Sequence, residues 1–273
     1  MSIVHNIISK RPLDISRVNI FASTIDGIKY EERGEKTFYY WINGKSTRGF
    51  EITLEQEAVE VRNMVLSNRY DYELTNKIVA EIIALTDGRI LNEEEQETVL
   101  PIWDNNKIAE TEIHDCEITL SLSKEHKVSI CGPIRNVHFG KRMYKKFKSL
   151  KGEHLKDKMF DLILYVNYQI PNFESGNIMM VGKPNSNEDP KKMKVLSCGS
   201  NYIIDKYDYI LLYVSEGQNP IIITNDILNS ILPHSWELVD DYTVVAPMIE
   251  QNEWDKLLVK ARKHDLWKNF INN

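Results

Sequence analysis

Apolar and polar residues alternate with a period of two through much of the N-terminal part of the chain. An aromatic run at 38–42 precedes Asn43-Gly44, and an alternating run at 50–54 follows. Asn-Gly between two such runs is the strongest short signal for a β-hairpin, because both turn residues must take positive φ. We therefore predict a hairpin here and a further strand from Val59 to Leu66.

A helical period replaces this alternation after residue 70. We predict a helix that starts at Asp71 as its N-cap and ends at Asp87-Gly88, since these residue types favour helix ends. Its apolar stripe comprises Leu74, Ile78, Val79, Ile82, Ile83 and Leu85. A second helix near the C-terminus is predicted from the stripe Trp254, Leu257, Leu258, Ala261 and Leu266.

Short apolar runs elsewhere predict more strands than helices. We expect strands at 113–122, 127–131, 162–166, 209–214, 221–224 and 242–245. Strands grouped with short connections favour an α+β fold, with mostly antiparallel sheets and a few packed helices.

The domain organisation follows from the same pattern. We predict an N-terminal α+β region at 1–134, a basic helical connector at 135–158 and a C-terminal α+β region at 159–273. Packing of the whole chain as one domain is the alternative.

Composition is that of an ordinary globular protein: 273 residues, of which 42% are hydrophobic and 27% charged. No apolar run approaches the ~20 residues needed to cross a membrane as a helix. The three cysteines are widely spaced and odd in number, which favours reduced thiols and a cytoplasmic location. The abundance of Asn, Lys and Ile suggests a bacterial source.

Charge is distributed unevenly along the chain. Between Arg135 and Lys158 there are nine Lys or Arg residues and two acids, although the whole chain has a net charge of −6. The candidate basic patch consists of Arg135, Lys141, Arg142, Lys145, Lys146 and Lys148. It is interleaved with Phe139, Tyr144 and Phe147.

Three interpretations of this basic segment remain open. The first, which we favour, is a solvated helix face that turns its aromatic residues inward. The second is a contact surface for an acidic protein or for a second copy of the chain. The third is binding of single-stranded nucleic acid, in which cations neutralise phosphates and aromatic rings stack on bases.

Motifs for catalysis or cofactor binding are weak. The segment 43–47 matches the tail of a phosphate-binding loop, but Tyr39 stands where that loop requires glycine. Within a strand, the side chain of Asp115 would point away from those of His114 and Cys116, so a relay is unfavourable. The spacing of the histidines does not match a zinc site. We predict no metal and no cofactor.

Tryptophans next to acidic residues are the candidate partner-binding sites, because aromatic anchors beside charges are typical of interfaces. These residues are Trp103 with Asp104, and Trp236 with Glu237, Asp240 and Asp241. The alternatives are that both indoles belong to the core and that Asp240-Asp241 forms a turn.

The general profile, small, acidic, strand-rich and without a catalytic motif, is similar to that of bacterial immunity proteins that neutralise toxins. That similarity implies an acidic working face and a basic toxin as partner. We therefore predict a non-enzymatic cytoplasmic protein that binds another protein. The alternatives are a nucleic-acid-binding protein that uses 135–158 and a hydrolase with a dispersed site formed by a histidine and Cys116, Cys131 or Cys198.

Overall fold

A computed structural model describes residues 2–56, 58–173, 176–182 and 189–271. It shows the predicted α+β fold, with helices packed on mostly antiparallel sheets. The chain divides into two compact units, Met1–Gln169 and Ile170–Asn273. In the described residues, no helix has both the length and the apolar character needed to cross a membrane.

This division differs from the expected connector at 135–158, which lies wholly within the first unit. The physical reason is that the segment contributes to the core of that unit. Its residues Val137, Phe139, Phe147 and Leu155 are buried.

The first unit contains a seven-stranded antiparallel sheet. Its strands in chain order are β1 (Ser2–Ile8), β2 (Ile28–Gly34), β3 (Thr37–Ile42), β4 (Phe50–Leu54), β5 (Ala58–Met64), β6 (Arg89–Leu91) and β7 (Glu97–Thr98). Their spatial order is β2-β3-β4-β5-β1-β6-β7. The strand predicted from Val59 to Leu66 is confirmed, with slightly different ends.

Strands β3 and β4 pair as predicted, with Tyr40 opposite Phe50. The connection is not a tight Asn-Gly turn, however. It runs from residue 43 to residue 49, and Gly44 has positive φ whereas Asn43 does not. The amides of Lys45 and Ser46 both donate to the Ile42 carbonyl, so the chain turns over more residues than a two-residue hairpin does.

Five helices and a small hairpin complete the described part of the first unit. The helices are α1 (Ile15–Ser23), α2 (Arg69–Thr86), α3 (Asn105–Ser123), α4 (Lys141–Phe147) and α5 (Gly152–Leu164). A π-helical turn, Tyr165–Gln169, extends α5. The hairpin pairs β8 (Val128–Cys131) with β9 (Asn136–Phe139).

The predicted helix at 71–87 is α2, and its start lies slightly earlier than predicted. Asn68 is the N-cap, and Asp71 at the third helical position completes a capping box. Asp87 ends the helix in the left-handed conformation, with φ of 50°.

Two predicted strands are wrong. Residues 113–122 belong to α3, and residues 162–166 end α5 and begin the π-helical turn. A short apolar run alone does not distinguish a buried strand from a buried helix, and this explains the second error. The buried face of α3 includes Glu112, Asp115 and Thr119, so its helical period is hidden from a count of apolar residues.

The second unit contains two sheets. One consists of β10 (Ile178–Val181), β11 (Lys191–Leu196), β13 (Tyr209–Leu212) and β14 (Ile221–Thr224), in that spatial order. Strands β11 and β13 run parallel. The other sheet consists of β12 (Tyr202–Ile204), β16 (Val244–Ala246) and β15 (Glu237–Leu238), also in spatial order.

Helices α6 (Asn225–Ile231), α7 (Gln251–Ala261) and α8 (Trp267–Ile271) belong to this unit, and a short 3-10 turn, Arg262–His264, follows α7. The predicted stripe is confirmed for Trp254, Leu257, Leu258 and Ala261 of α7, which are buried in the core. Leu266 lies beyond that helix, and its amide donates to the Ile222 carbonyl instead.

Candidate functional site

The most distinctive surface of the first unit is formed by α4 and the residues that follow it. Six cations are exposed there, and no acidic residue occurs between Arg135 and Lys151. We call this the α4 basic surface, and it consists of Lys141, Arg142, Lys145, Lys146, Lys148 and Lys151. It includes five of the six residues of the predicted basic patch.

The sequence of α4 explains why its cations face outward. Met143 and Phe147 are four residues apart, so they lie on one face of the helix, and both are buried. The cations occupy the remaining faces. Phe139 of the preceding strand is also buried, and Tyr144 is half-buried. The aromatic residues of the basic segment therefore point mainly into the core.

Arg135, the sixth predicted patch residue, has a structural role instead. Its guanidinium Nη1 donates to the carbonyl oxygens of Val166 and Asn167, at 3.3 and 3.5 Å. Partial burial lowers the pKa of this guanidinium. Arg135 thus caps carbonyls of the π-helical turn and contributes little to the exposed charge.

The side chain of Asn167 also holds this region in place. Its side-chain oxygen accepts from the amides of Ile134 and Arg135, at 2.9 and 3.0 Å. Its side-chain nitrogen donates to the Ile163 carbonyl at 2.9 Å. A Cβ at position 132 would lie only 2.3 Å from that nitrogen, so this close approach requires Gly132. The turn before β9 and α4 is thereby held against the end of α5.

A shallow groove of about 730 Å³ lies beside the α4 basic surface, between α4 and α5. Its lining combines a partly apolar floor with charges of both signs: Lys146, Phe147, Leu150, His154, Asp157, Lys158, Phe160 and Asp161. Lys158 and Asp161 form an ion pair at 3.5 Å. The groove is therefore less basic than the surface of α4.

The first predicted acidic-aromatic site lies in the core and at a helix end. Trp103 is only 1% exposed, and its indole N–H donates to the side-chain oxygen of Asn63 at 3.0 Å. Asp104 is exposed and caps α3, where it accepts from the amides of Asn106 and Lys107. Trp103 is therefore a core residue, as in the alternative interpretation of the sequence.

The second predicted site has the same character and lies in the other unit. Trp236 is 6% exposed and donates to the Pro247 carbonyl at 3.0 Å. Buried Asp240 accepts from the amides of Tyr242 and Thr243, at 2.8 and 2.7 Å, which is turn chemistry. Glu237 is exposed and Asp241 is half-buried. Neither indole is available as an interface anchor.

The thiols lack the surroundings of a nucleophile. Burial raises the pKa of Cys116, and the nearby carboxylates of Asp115 and Glu112 raise it further. Burial also raises the pKa of Cys198, whose thiol donates to the Ile249 carbonyl at 3.6 Å. Cys131 is exposed on β8. A reactive cysteine needs a stabilised thiolate, so the arrangement does not favour a cysteine hydrolase.

Within the ranges that the structure describes, no cluster of three or more His, Cys, Asp or Glu side chains is arranged to hold a metal ion. His114 and Asp115, adjacent in sequence, lie on the helix α3, where His114 is exposed and Asp115 is buried.

Sequence reasoning missed a buried anion site in the loop at 43–49. The carboxylate of Asp71 accepts from the amides of Arg48 and Gly49, at 3.0 and 2.9 Å, and from the Thr47 hydroxyl at 3.1 Å. Burial raises the pKa of Asp71, and hydrogen bonds from the Ser46 side chain and from the amides of Arg48, Asn68 and Gly49 oppose that increase. The loop therefore directs its donors at an anion, as a phosphate loop does, but the anion is the protein's own carboxylate.

Comparison with known proteins gives a family for this chain. Residues 14–161 match the model of the family described as Domain of unknown function (DUF4299). This match covers more than half of the chain, so the chain belongs to that family. No curated protein and no solved structure matches it. The matched residues include the α4 basic surface and the Asp71 site.

Proposed function

We propose that this member of the DUF4299 family is a protein-binding protein, which contacts an acidic partner protein through the α4 basic surface. The observation that carries the proposal is the concentration of six exposed cations on an acid-free segment of an acidic chain. Free cysteines support the cytoplasm as its location.

The burial of the aromatic residues favours a protein partner over single-stranded nucleic acid. Sequence-independent binding of single strands combines cations with exposed rings on which bases stack. Phe139 and Phe147 are buried and cannot stack on a base in this conformation.

A surface of this kind acts mainly on the rate and specificity of association. Exposed cations steer an acidic partner toward the correct face, and they repel partners with a basic face. Their effect decreases with salt, because the screening length falls from about 10 Å at 0.1 M to about 3 Å at 1 M ionic strength. Binding is therefore expected to weaken strongly as salt is added.

An immunity-type role, in which an acidic face captures a basic toxin, stays a prediction. Its proposed anchors Trp103 and Trp236 are core residues, so any such face would depend on exposed acids alone. For this reason we assign the partner contact to the α4 basic surface.

Charge reversal on α4 tests the proposal. The variant Lys145→Glu/Lys146→Glu/Lys148→Glu reverses three exposed charges without changing a buried side chain. A matched control reverses three exposed lysines of the second unit and changes the net charge equally: Lys256, Lys260 and Lys263. Each protein is used to capture partners from host cells at low salt, followed by mass spectrometry and measurement of affinity.

We expect the wild type and the control to retain the same acidic partner protein. The α4 variant should lose at least about ten-fold in affinity, equivalent to ~1.4 kcal/mol. Equal retention by the α4 variant would contradict the proposal. Tight, salt-dependent binding of a single-stranded oligonucleotide that only the α4 variant loses would instead support the nucleic-acid alternative.

A further inference from the structure

Lys194 in the second unit is a completely buried lysine. Its side chain is 0% exposed, and its amine has no hydrogen-bond partner among the described residues. It projects from β11 on the same face of the sheet as Leu196 and Ile210, which are core residues. A lysine in such surroundings is rare unless it is paired or functional.

Two tyrosine rings and a glycine surround the amine. The nitrogen lies 5.7 Å from the centre of the Tyr207 ring and 6.0 Å from that of Tyr202. Burial lowers the pKa of Lys194, and no nearby carboxylate opposes this effect in the described part of the unit. The lowered pKa increases the fraction of neutral amine, which is the nucleophilic form, at a given pH.

A polar pocket of about 550 Å³ lies next to these surroundings, although Lys194 itself does not belong to the pocket lining. Gly176 and Tyr202 belong both to the pocket wall and to the surroundings of Lys194. Asn172, Asn177 and Ser197 add amide and hydroxyl groups to the lining. These groups suit a small ligand that carries hydroxyl or carbonyl oxygens.

Gly176 lines the pocket and is also close to the amine. A Cβ at this position would lie 3.4 Å from the Lys194 nitrogen and 2.8 Å from a carbon of the Tyr202 ring. Because glycine has no side chain, only backbone separates the two spaces here. Contact between the amine and a ligand in the pocket requires a shift of Gly176 or of the Tyr202 ring.

We propose that Lys194 is a nucleophile that captures a small polar aldehyde or ketone, held in this pocket, as an imine. The nitrogen lone pair attacks the carbonyl carbon, and the carbonyl oxygen takes up a proton to give a carbinolamine. That proton comes from the amine nitrogen, so loss of the hydroxyl group with the one remaining amine hydrogen releases one water and leaves a carbon–nitrogen double bond. The step involves no oxidation or reduction, and it is independent of the α4 basic surface.

Reductive trapping tests this inference. The full-length protein is incubated near neutral pH with glycolaldehyde and cyanoborohydride, which reduces an imine to a stable secondary amine. Peptide mass spectrometry then gives the labelling rate at each lysine. Lys192, exposed on the same strand, is the internal reference, and Lys194→Met and Lys192→Met are the matched variants.

We expect Lys194 to be labelled at least about ten-fold faster than Lys192, because an exposed lysine is almost fully protonated at neutral pH. Lys192→Met should leave this fast labelling unchanged, and Lys194→Met should abolish it. Labelling of Lys194 at or below the rate of Lys192 in the wild type would overturn the proposal. This comparison is made within one folded protein, so it does not depend on the folding of a variant.

Discussion

His5 is a buried histidine in the core of the first unit, where its side chain is 3% exposed. Its ring packs edge-on against Trp103, with 6.0 Å between the ring centres. Burial lowers the pKa of His5 to about 4, and the positive charge of Lys107 adds to this effect, whereas Glu93 opposes it. The folded state therefore favours a neutral imidazole.

This pKa predicts an acid-sensitive contribution to stability. The pKa of His5 is lower in the folded state than the ordinary value of 6.5. The unfolded chain therefore takes up the proton first, and stability is lost as the pH falls from about 6.5 toward about 4. Between pH 7 and pH 5 the wild type should lose about 2 kcal/mol more than His5→Gln does.

Urea unfolding at the two pH values measures this difference, and His126→Gln at an exposed position is the control. The free energy of unfolding of His126→Gln should change with pH as that of the wild type does. If the stability of wild type and His5→Gln changed equally with pH, a neutral buried imidazole at position 5 would be excluded.

At the scale of single residues, only some roles could be predicted. The exposure of the lysines on α4 could be predicted, because the segment is helical and contains no acidic residue. Met143 and Phe147 are buried on one face, so the lysines lie on the others. The roles of Arg135 and Asp71 depend on atoms distant in sequence and gave no local signal. Lys194 lies in a run rich in lysine, and nothing in that pattern indicates a buried amine.

At the scale of elements, two buried carboxylates of the helix α3 bind backbone amides in the connection between β5 and α2. Glu112 accepts from the amide of Arg69, in the first turn of α2, at 2.5 Å. Asp115 accepts from the amide of Leu66 at 2.9 Å, and Leu66 has positive φ, at 66°. The two side chains satisfy backbone donors where the chain passes from β5 to α2.

Removing the Asp115 carboxylate should therefore destabilise the first unit. Asp115→Ala leaves the buried amide of Leu66 without an acceptor, at an expected cost of about 1–3 kcal/mol. Asp115→Asn should cost less, because the amide oxygen can still accept and burial already raises the pKa of Asp115. Unfolding by denaturant and hydrogen exchange at Leu66 measure both effects.

Glu117→Ala, at an exposed site on the same helix, is the control for the two Asp115 variants. Its stability and its hydrogen exchange at Leu66 should stay close to those of the wild type. Unchanged exchange at Leu66 in Asp115→Ala would show that this hydrogen bond does not hold the connection.

The errors at this scale have a common physical origin. The helices α2 and α7 were predicted because their buried faces are apolar and recur at helical spacing. The buried face of α3 is partly acidic and hydroxylic, so tertiary hydrogen bonds replace the apolar stripe as its packing signal. Pairing of β3 with β4 followed from their alternation, but the shape of their connection depends on the distant Asp71.

At the scale of the whole molecule, the sequence predicts the segregation of charge and the α+β class, and the structure shows both. The sequence does not locate the boundary between the two units, which lies after Gln169. The reason is that the basic segment is polar in sequence, although seven of its 24 residues are buried in the first unit. Segregated charge of this kind is expected to steer association rather than determine the fold.

The central claim, that the α4 basic surface meets an acidic protein, is tested most directly by cross-linking in host cells. A photoreactive amino acid is placed at Ser149, exposed beside α4, or at Val259, exposed on α7. We predict a cross-linked acidic protein from position 149 and none from position 259. Absence of an adduct at 149, or an adduct there that nuclease removes and protease does not, would contradict the account.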